Sequence, residues 1–446
     1  MLFDFQKYIQ PTWYFNLKPT EGDIGYLANY EKLQPSVQAL FEPNKNYQTK
    51  EAYLLDLAYQ GWHKGVIHID KSQTITVENP CSNVVDNYLF LRSHYHKVWS
   101  VYVLLLRLLG LKNPLREIAG FMKARNQHRV LVYDKIFDHS AYDFFDSPLL
   151  KANPMVTLVI PTLNRYDLLD DVMKDLENQD YKNFEVICVD QTEPFNEAFY
   201  QNRKLNLTAF YQKEKALWLA RNTALKMAKG SLILLYDDDS RVEPDWISQH
   251  IKCLDFFQAE LSAGVSISVI GSEVPANYKF FRWSDQLDTG NVMLRRAVFE
   301  KIGLFDRQFE KQRMGDGEFG LRAYLMGFKN ISNPKAWRLH LKAAEGGLRQ
   351  MGSWDAWRPK KFWSPRPIPS VLYFYRKYFG IRFTLLESIK NVPPSIIHLR
   401  FKRSKPMMLF GLLLGLCMFP VLIYQFVWSW RLASKKQKEG ARVEKL

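Results

Sequence analysis

Three carboxylates in a row, Asp237, Asp238 and Asp239, follow the apolar run SLILLY. Adjacent carboxylates repel, which destabilises a fold unless a cation offsets it. Oxygen ligands suit hard divalent ions, and Mg²⁺ or Mn²⁺ held by one or two carboxylates keeps positions open for phosphate. A solvated acidic turn before the next helix is the plainer reading, since Glu243 and Pro244 follow. Arg221, in Ala220-Arg221-Asn222, is the side-chain type best matched to phosphate or a planar base edge, although a surface arginine is the commoner case. Asp316 lies near the start of MGDGEFGLRAYLMGF, residues 314–328. A helix N-terminus there favours its ionised form, and an ionised carboxylate can accept a proton. An N-cap aspartate is the alternative. His340 stands in WRLHLKAAEGG, where Gly346 and Gly347 suggest a loop able to close over a substrate. Without that loop, a lone histidine reads as a packed polar residue.

These groups need a frame that gathers them. From Met155 onward the chain alternates apolar runs (MVTLVI, FEVICVD, LTAFYQ, SLILLY) with the helical stretches YDLLDDVMKDLENQ and KALWLARNTALKMAKG, the latter closed by Gly230. Apolar strands at about 30-residue spacing with helices between them predict an α/β fold whose mostly parallel sheet is buried on both faces. Ligands bind such sheets beyond the carboxyl ends of the strands. Arg165, Asp190 and the three aspartates all fall there. Within 314–328, Leu321, Tyr324 and Leu325 share a helix face, and Glu318–Arg322 is an i,i+4 pair worth a few tenths of a kcal/mol.

Residues 1–150 alternate helical and strand-like patches and are expected to form an α/β or α+β accessory domain. In it, VWSVYVLLLRLLGL (98–111) is too short to span a bilayer and carries Arg107, so it reads as a packed or interfacial helix. HRVLVYD (128–134) reads as a strand. The whole chain, 446 residues and 47% apolar, can bury a sizeable core in two or three units, which excludes wholesale disorder. Its four cysteines form no CxxC pair and read as buried thiols of a reducing compartment. The N-terminus lacks a basic region followed by an apolar one, so the body is expected to stay in the cytoplasm.

Charge is concentrated at one end. Residues 341–446 hold 20 Lys+Arg against 5 Asp+Glu, whereas the remainder has 41 of each. A basic tail suits nucleic acid or an anionic membrane. Residues 407–430, MMLFGLLLGLCMFPVLIYQFVWSW, are uncharged and have Lys and Arg on both sides, which favours the membrane and argues against nucleic acid. A buried core helix is the alternative. Basic flanks on both sides and the central Pro420 leave open whether the segment spans or dips and returns.

Taken in order, VTLVIPTLNR, EVICVDQ, ALWLARNTALKMAKG, LILLYDDDS, DTGNVMLRR with IGLFD, GDGEFGLRAYLMGF and HLKAAEGG resemble the family 2 glycosyltransferases, with a weaker echo in SVLYFYRKYFG. The resemblance covers residues 155–350, roughly half the chain. It implies a GT-A type α/β domain, an inverting reaction and a nucleotide-sugar donor. Asp237 and Asp239 then match the outer positions of the DxD metal motif, for Mg²⁺ or Mn²⁺, and His340 a histidine that completes the metal site in some members. Asp316 matches the catalytic base. Pro161, Thr162, Asn164, Arg165, Asp190, Arg221 and Asp238 fall in nucleotide-contacting segments, and Gly290 and Asn291 in the donor-side loop.

Departures accompany the match. The two acids often found after the second strand read Asp190-Gln191, which unsettles the expected base preference, and the usual Glu-Asp pair reads Gly315-Asp316. The QxxRW motif of processive synthases is absent, which favours transfer of a single sugar. The expected organisation is an accessory domain at 1–150, a catalytic domain at 151–385 and a basic membrane-associated segment at 386–446. A lipid-linked glycan acceptor at the cytoplasmic face of the cell membrane fits the tail, held peripherally or by one span. The competing reading is a non-catalytic, membrane-anchored glycan-binding or scaffold protein of the same fold.

Overall fold

The computed structural model describes residues 1–22, 24–268, 273–342, 355–359, 361–397, 401 and 404–446. Two compact units are present: Met1–Ser140 with Phe379–Lys390, and Ala141–Tyr378 with Asn391–Leu446.

The second unit is built on a nine-stranded sheet. Its strands are β1 (Val156–Thr162), β2 (Phe184–Asp190), β3 (Leu207–Tyr211), β4 (Leu232–Tyr236), β5 (Ser240–Val242), β6 (Leu261–Ile267), β7 (Arg282–Trp283), β8 (Asn291–Arg295) and β9 (Asn330–His340). The order is β3-β2-β1-β4-β8-β6-β9-β5, with β7 on β9. The β3-β2-β1-β4 half is parallel, as the apolar runs predict, and β1, β2 and β4 are buried along their whole length. The other half is mixed: β8 runs against β4 and β6, and β5 and β7 run against β9. The α/β class therefore holds, with most strands pointing one way. Helix Tyr166–Glu177 buries Leu169, Val172, Met173 and Leu176, the i, i+3, i+4, i+7 pattern of a helix lying on a sheet. Gly230, between helix Leu217–Met227 and β4, is irreplaceable on space alone, because a Cβ there would sit 2.6 Å from the Thr157 amide nitrogen.

The first unit differs from expectation. It is helical, with only the isolated bridges Phe3–Cys81 and Ala28–Thr74 among its described residues. HRVLVYD is not a strand: no neighbouring strand is there to share its hydrogen bonds, and the Val130 amide bonds the Ser93 carbonyl instead. The cysteine expectation also needs one correction. Cys81, Cys188 and Cys253 are buried thiols, but Cys417 is exposed, on the outer side of helix Lys405–Cys417.

The apolar C-terminal run forms two helices, Lys405–Cys417 and Phe419–Glu439, bent by 80° at Met418. Pro420 occupies the first turn of the second helix, where a missing N–H costs nothing, so the chain restarts there rather than continuing. No single described helix is long and apolar enough to cross a membrane; the bent pair passes by length and composition only. Helix Phe419–Glu439 turns Leu422, Gln425, Ser429 and Ala433 inward and leaves Ile423, Tyr424, Val427 and Trp428 exposed. Gln425 and Ser429 bond the segment before helix Pro369–Tyr378, and Arg376 of that helix stacks on Trp430 at 4.2 Å. The tail then returns to the sheet domain, with the Leu304 amide on the Glu444 carbonyl and the Arg442 amide on Asp306.

Helix Gly315–Leu325, which carries Asp316, is anchored by Glu318. This carboxylate is fully buried and takes Arg322 at 3.0 Å, Lys377 at 3.0 Å and the Tyr378 hydroxyl at 2.5 Å. Burial pushes its pKa up, but Arg322 and Lys377 more than offset that and hold it below the usual range. The surface pair expected from spacing is thus an internal clamp. Removing one partner of such a cluster leaves buried cations unmatched. Glu318→Ala should lower unfolding free energy by about 3 kcal/mol, read as a fall in the urea midpoint at constant slope.

Candidate active site

The carboxyl ends of β1 and β4 open into one cleft. Its walls come from the turn after β1 (Pro161, Thr162, Leu163, Arg165), from helix Leu217–Met227 (Leu217, Trp218, Arg221), and from Asp237–Asp239. Asp288 and Thr289 precede β8, and residues 311–316 close the opposite side.

Three buried arginines from separate elements compensate the aspartate run. Asp238 accepts from Thr162 Oγ1 and Arg165 Nη1, both at 2.8 Å. Asp237 accepts from Arg221 at 3.0 Å and from Arg338 at 2.9 Å. Arg338 also bonds Asp288 at 2.9 Å. Burial pushes the Asp238 carboxyl up to about 6, against the pull of Arg165. Burial acts the same way on Asp288, but the Arg338 charge prevails and lowers it. Gly290 is required here: a Cβ would lie 2.0 Å from Asp237 Oδ2 and 2.4 Å from Arg338 Nη1.

Asp237, Asp239 and His340 offer ligand atoms that all lie within 4.8 Å of one another. The register of β5 on β9 brings this about by pairing Ser240, next to Asp239, with His340. His340 Nε2 is 3.3 Å from Asp239 Oδ1. That nitrogen and Asp239 Oδ2 are both buried without a hydrogen-bond partner, although Arg165 lies 3.1 Å from the latter. Burial opposes ionisation of Asp239, yet His340 and Arg165 outweigh it and lower its pKa. Carboxylate oxygens and an imidazole nitrogen gathered within 4.8 Å, with hydrogen-bonding capacity left over, fit a divalent cation. Gly346 and Gly347, taken as a closing loop, lie outside the described residues.

Asp316 faces the cleft from the first turn of its helix, its Oδ1 taking the Gly317 amide at 2.8 Å. Burial raises its pKa, so the expected helix-terminus effect is not the one that prevails. Gly315 has a local explanation. A Cβ there would meet the Trp218 indole at 2.3 Å, so an acid at 315 and tryptophan at 218 exclude each other. Lys311 and Met314 hold left-handed φ values of +57° and +78°, a strained approach to Asp316.

Five expected residues are not among those lining the cleft: His340, beside Asp239, and Asn164, Asp190, Gly290 and Asn291. Asn164 turns the chain at φ +55° and donates its amide to Thr192. Asp190 is buried and takes the hydroxyls of Tyr166 at 2.7 Å and Tyr200 at 2.8 Å. Gly290 lies behind the Asp237–Arg338 pair. Asn291 is interior, accepting from Trp246 and donating to the Val265 and Ala336 carbonyls. Conversely, Trp218, Asp288, Thr289 and Arg338 went unmarked. A signal existed for one: Arg338 and His340 are two apart on a strand and so share a face.

Arg338→Met should cost about 3 kcal/mol, below the top of the range because the Asp288 side chain is 42% exposed. Asp288 has a lowered pKa, so its contribution is present above the unfolded value near ~3.9 and lost as pH falls through the folded one. The stability gap between the variant and the unaltered chain should narrow below about pH 4 in chemical denaturation, and a pH-independent gap would remove the ion pair from the account.

Comparison with known proteins bears on this cleft. Residues 157–309 match the model of glycosyl transferase family 2. Glycosyltransferase GlyA of Streptococcus pneumoniae is 23% identical over 166 residues, 36% of this chain and 22% of that protein. The O-antigen biosynthesis protein RfbC of Myxococcus xanthus is 25% identical over 274 residues, 53% of this chain and 21% of that protein. The chain thus spans about a fifth of the length of these two relatives. Among solved structures, S. aureus TarS 1–349 in complex with UDP-GlcNAc aligns with a TM-score of 0.42 and 17% identity, over 64% of this chain and 92% of that one. The matched segment, about a third of the chain, runs from β1 through the aspartate run and β8 to Phe309, and over that stretch the chain is similar to glycosyl transferase family 2.

Proposed function

We propose that this protein transfers one sugar, with inversion, from a nucleotide-sugar donor to a hydroxyl of a lipid-linked glycan at the cytoplasmic face of the cell membrane. One observation carries the reading: in a domain similar to family 2, Asp316 and the Asp237/Asp239 carboxylates line the same cleft, with His340 beside Asp239. Asp316 takes the proton from the acceptor hydroxyl as that oxygen bonds to the anomeric carbon. The bond from that carbon to the nucleoside diphosphate breaks on the opposite face. Burial makes Asp316 a stronger base than a solvated aspartate. Asp237, Asp239 and His340 would hold Mg²⁺ or Mn²⁺, whose charge stabilises the departing diphosphate. Lys215, Lys311 and Arg313 add positive charge to the cleft wall. A membrane acceptor is supported by the basic C-terminal region and by the exposed Ile423, Tyr424, Val427 and Trp428.

The direct test is binding of UDP, dTDP and GDP with and without Mn²⁺. One nucleotide should bind only with the metal, and Asp239→Ala should abolish that binding. If none binds, the scaffold reading replaces this one. Asp316→Asn should cut turnover by about 10³-fold while leaving donor affinity within about twofold. Because the base works deprotonated and its pKa is raised, kcat/KM should rise with pH through a midpoint above the ordinary aspartate value of about 3.9. A product of retained anomeric configuration would overturn the role of Asp316.

A further inference from the structure

In the first unit, helices Lys97–Leu109 and Pro114–Lys123 form a hairpin that presents a second apolar face outward. The first helix buries Ser100, Val103 and Arg107 and exposes Val98, Val101, Leu105 and Leu109. The second buries Glu117 and Gly120 and exposes Leu115, Ile118 and Met122. Leu109 is 80% exposed and Leu111, at the tip, 92%. In water a surface helix turns its apolar stripe inward. Here one apolar side already packs inward, with Val103 in the core and Trp99, Tyr102, Leu104, Leu106 and Phe121 against it, and a polar clamp fixes it: Arg107 bonds Glu117 at 2.5 Å, and Glu117 takes the Tyr88 hydroxyl at 3.0 Å. Gly120 seats the second helix closely on Val84 and Tyr88. The outward ridge is therefore held on a rigid base, and its exposure follows from how the hairpin is anchored.

Charge identifies what covers the ridge. Residues 92–129 contain eight Lys+Arg and one acid, Glu117, which is buried. Lys97, Lys112, Arg116, Lys123, Arg125 and Arg129 are exposed. A second copy of the chain would bring like charges together, and nucleic acid has no use for a leucine ridge. An apolar layer bordered by anions satisfies both features, and that is the surface of an anionic bilayer. We propose that this hairpin is a membrane-docking surface, laying its leucines among the acyl chains while its lysines and arginines meet the headgroups, independently of the C-terminal segment.

The test uses the full chain carrying Cys417→Ser, which removes the exposed thiol, and Leu109→Cys labelled with an environment-sensitive fluorophore. With phosphatidylglycerol/phosphatidylcholine vesicles the probe should shift to the blue and be quenched by nitroxides placed in the bilayer. Reversing Lys112 and Arg116 to Glu should weaken that response about tenfold. Three results would overturn the proposal: a probe that stays aqueous whether or not the chain floats with the vesicles, a response indifferent to lipid charge and to the reversals, or a blue shift without vesicles that grows with protein concentration, which would make the ridge a self-association face.

Discussion

Four carboxylates crowded at the ends of the parallel strands set the terms for the sheet domain. Asp237, Asp238, Asp239 and Asp288 could not share this low-dielectric corner uncompensated. Arg165, Arg221 and Arg338 answer them from the turn after β1, from helix Leu217–Met227 and from β9. Each guanidinium ties at least two segments together, so charge balance and sheet assembly are one requirement. Three guanidinia against four carboxylates leave a negative surplus beside His340. A divalent cation would reverse that sign and prepare the corner for a diphosphate, which makes the same cluster a structural knot and, on the proposed function, a donor site.

Asp316 stands outside that knot and depends on different forces. Its helix is held at the far side by Glu318, Lys377 and Tyr378, and its approach is strained at Lys311 and Met314. Trp218 fills the volume that an acid at 315 would need. The departure from the family pair is therefore compensated within the fold: helix Leu217–Met227 supplies both Arg221 for the aspartates and the indole that forces glycine at 315.

Two regions away from the sheet share an unusual packing rule. Helix Phe419–Glu439 and the 97–123 hairpin both bury polar or small side chains beside apolar ones such as Leu422 and Val103, and leave further large apolar side chains outside. In each case hydrogen bonds and ion pairs anchor the inner face, through Gln425 and Ser429 in one and Arg107 and Glu117 in the other. Such faces are costly in water and comfortable at an interface with lipid. The hairpin's amphipathic run was visible in the chain, but its direction was not, because Arg107 could have pointed either way.

The sequence by itself determined the parallel half of the sheet, the helices that flank it and the three aspartates at the strand ends. Continuous apolar runs at this spacing have few alternatives to burial in a parallel sheet, whereas the β3-β2-β1-β4 order is set by the structure. Only the tertiary structure decided which polar residues meet. Arg338 is some hundred residues from Asp237, a contact set by the register of β9 on β5 and β6 rather than by any local pattern. The same holds for Trp218 against Gly315, for the interior roles of Asp190 and Asn291, and for the helical first unit, where HRVLVYD had strand character but no strand to pair with. A side chain's local pattern sets what it can do; the long-range register and burial around it set what it meets, and those depend on the whole chain being in place.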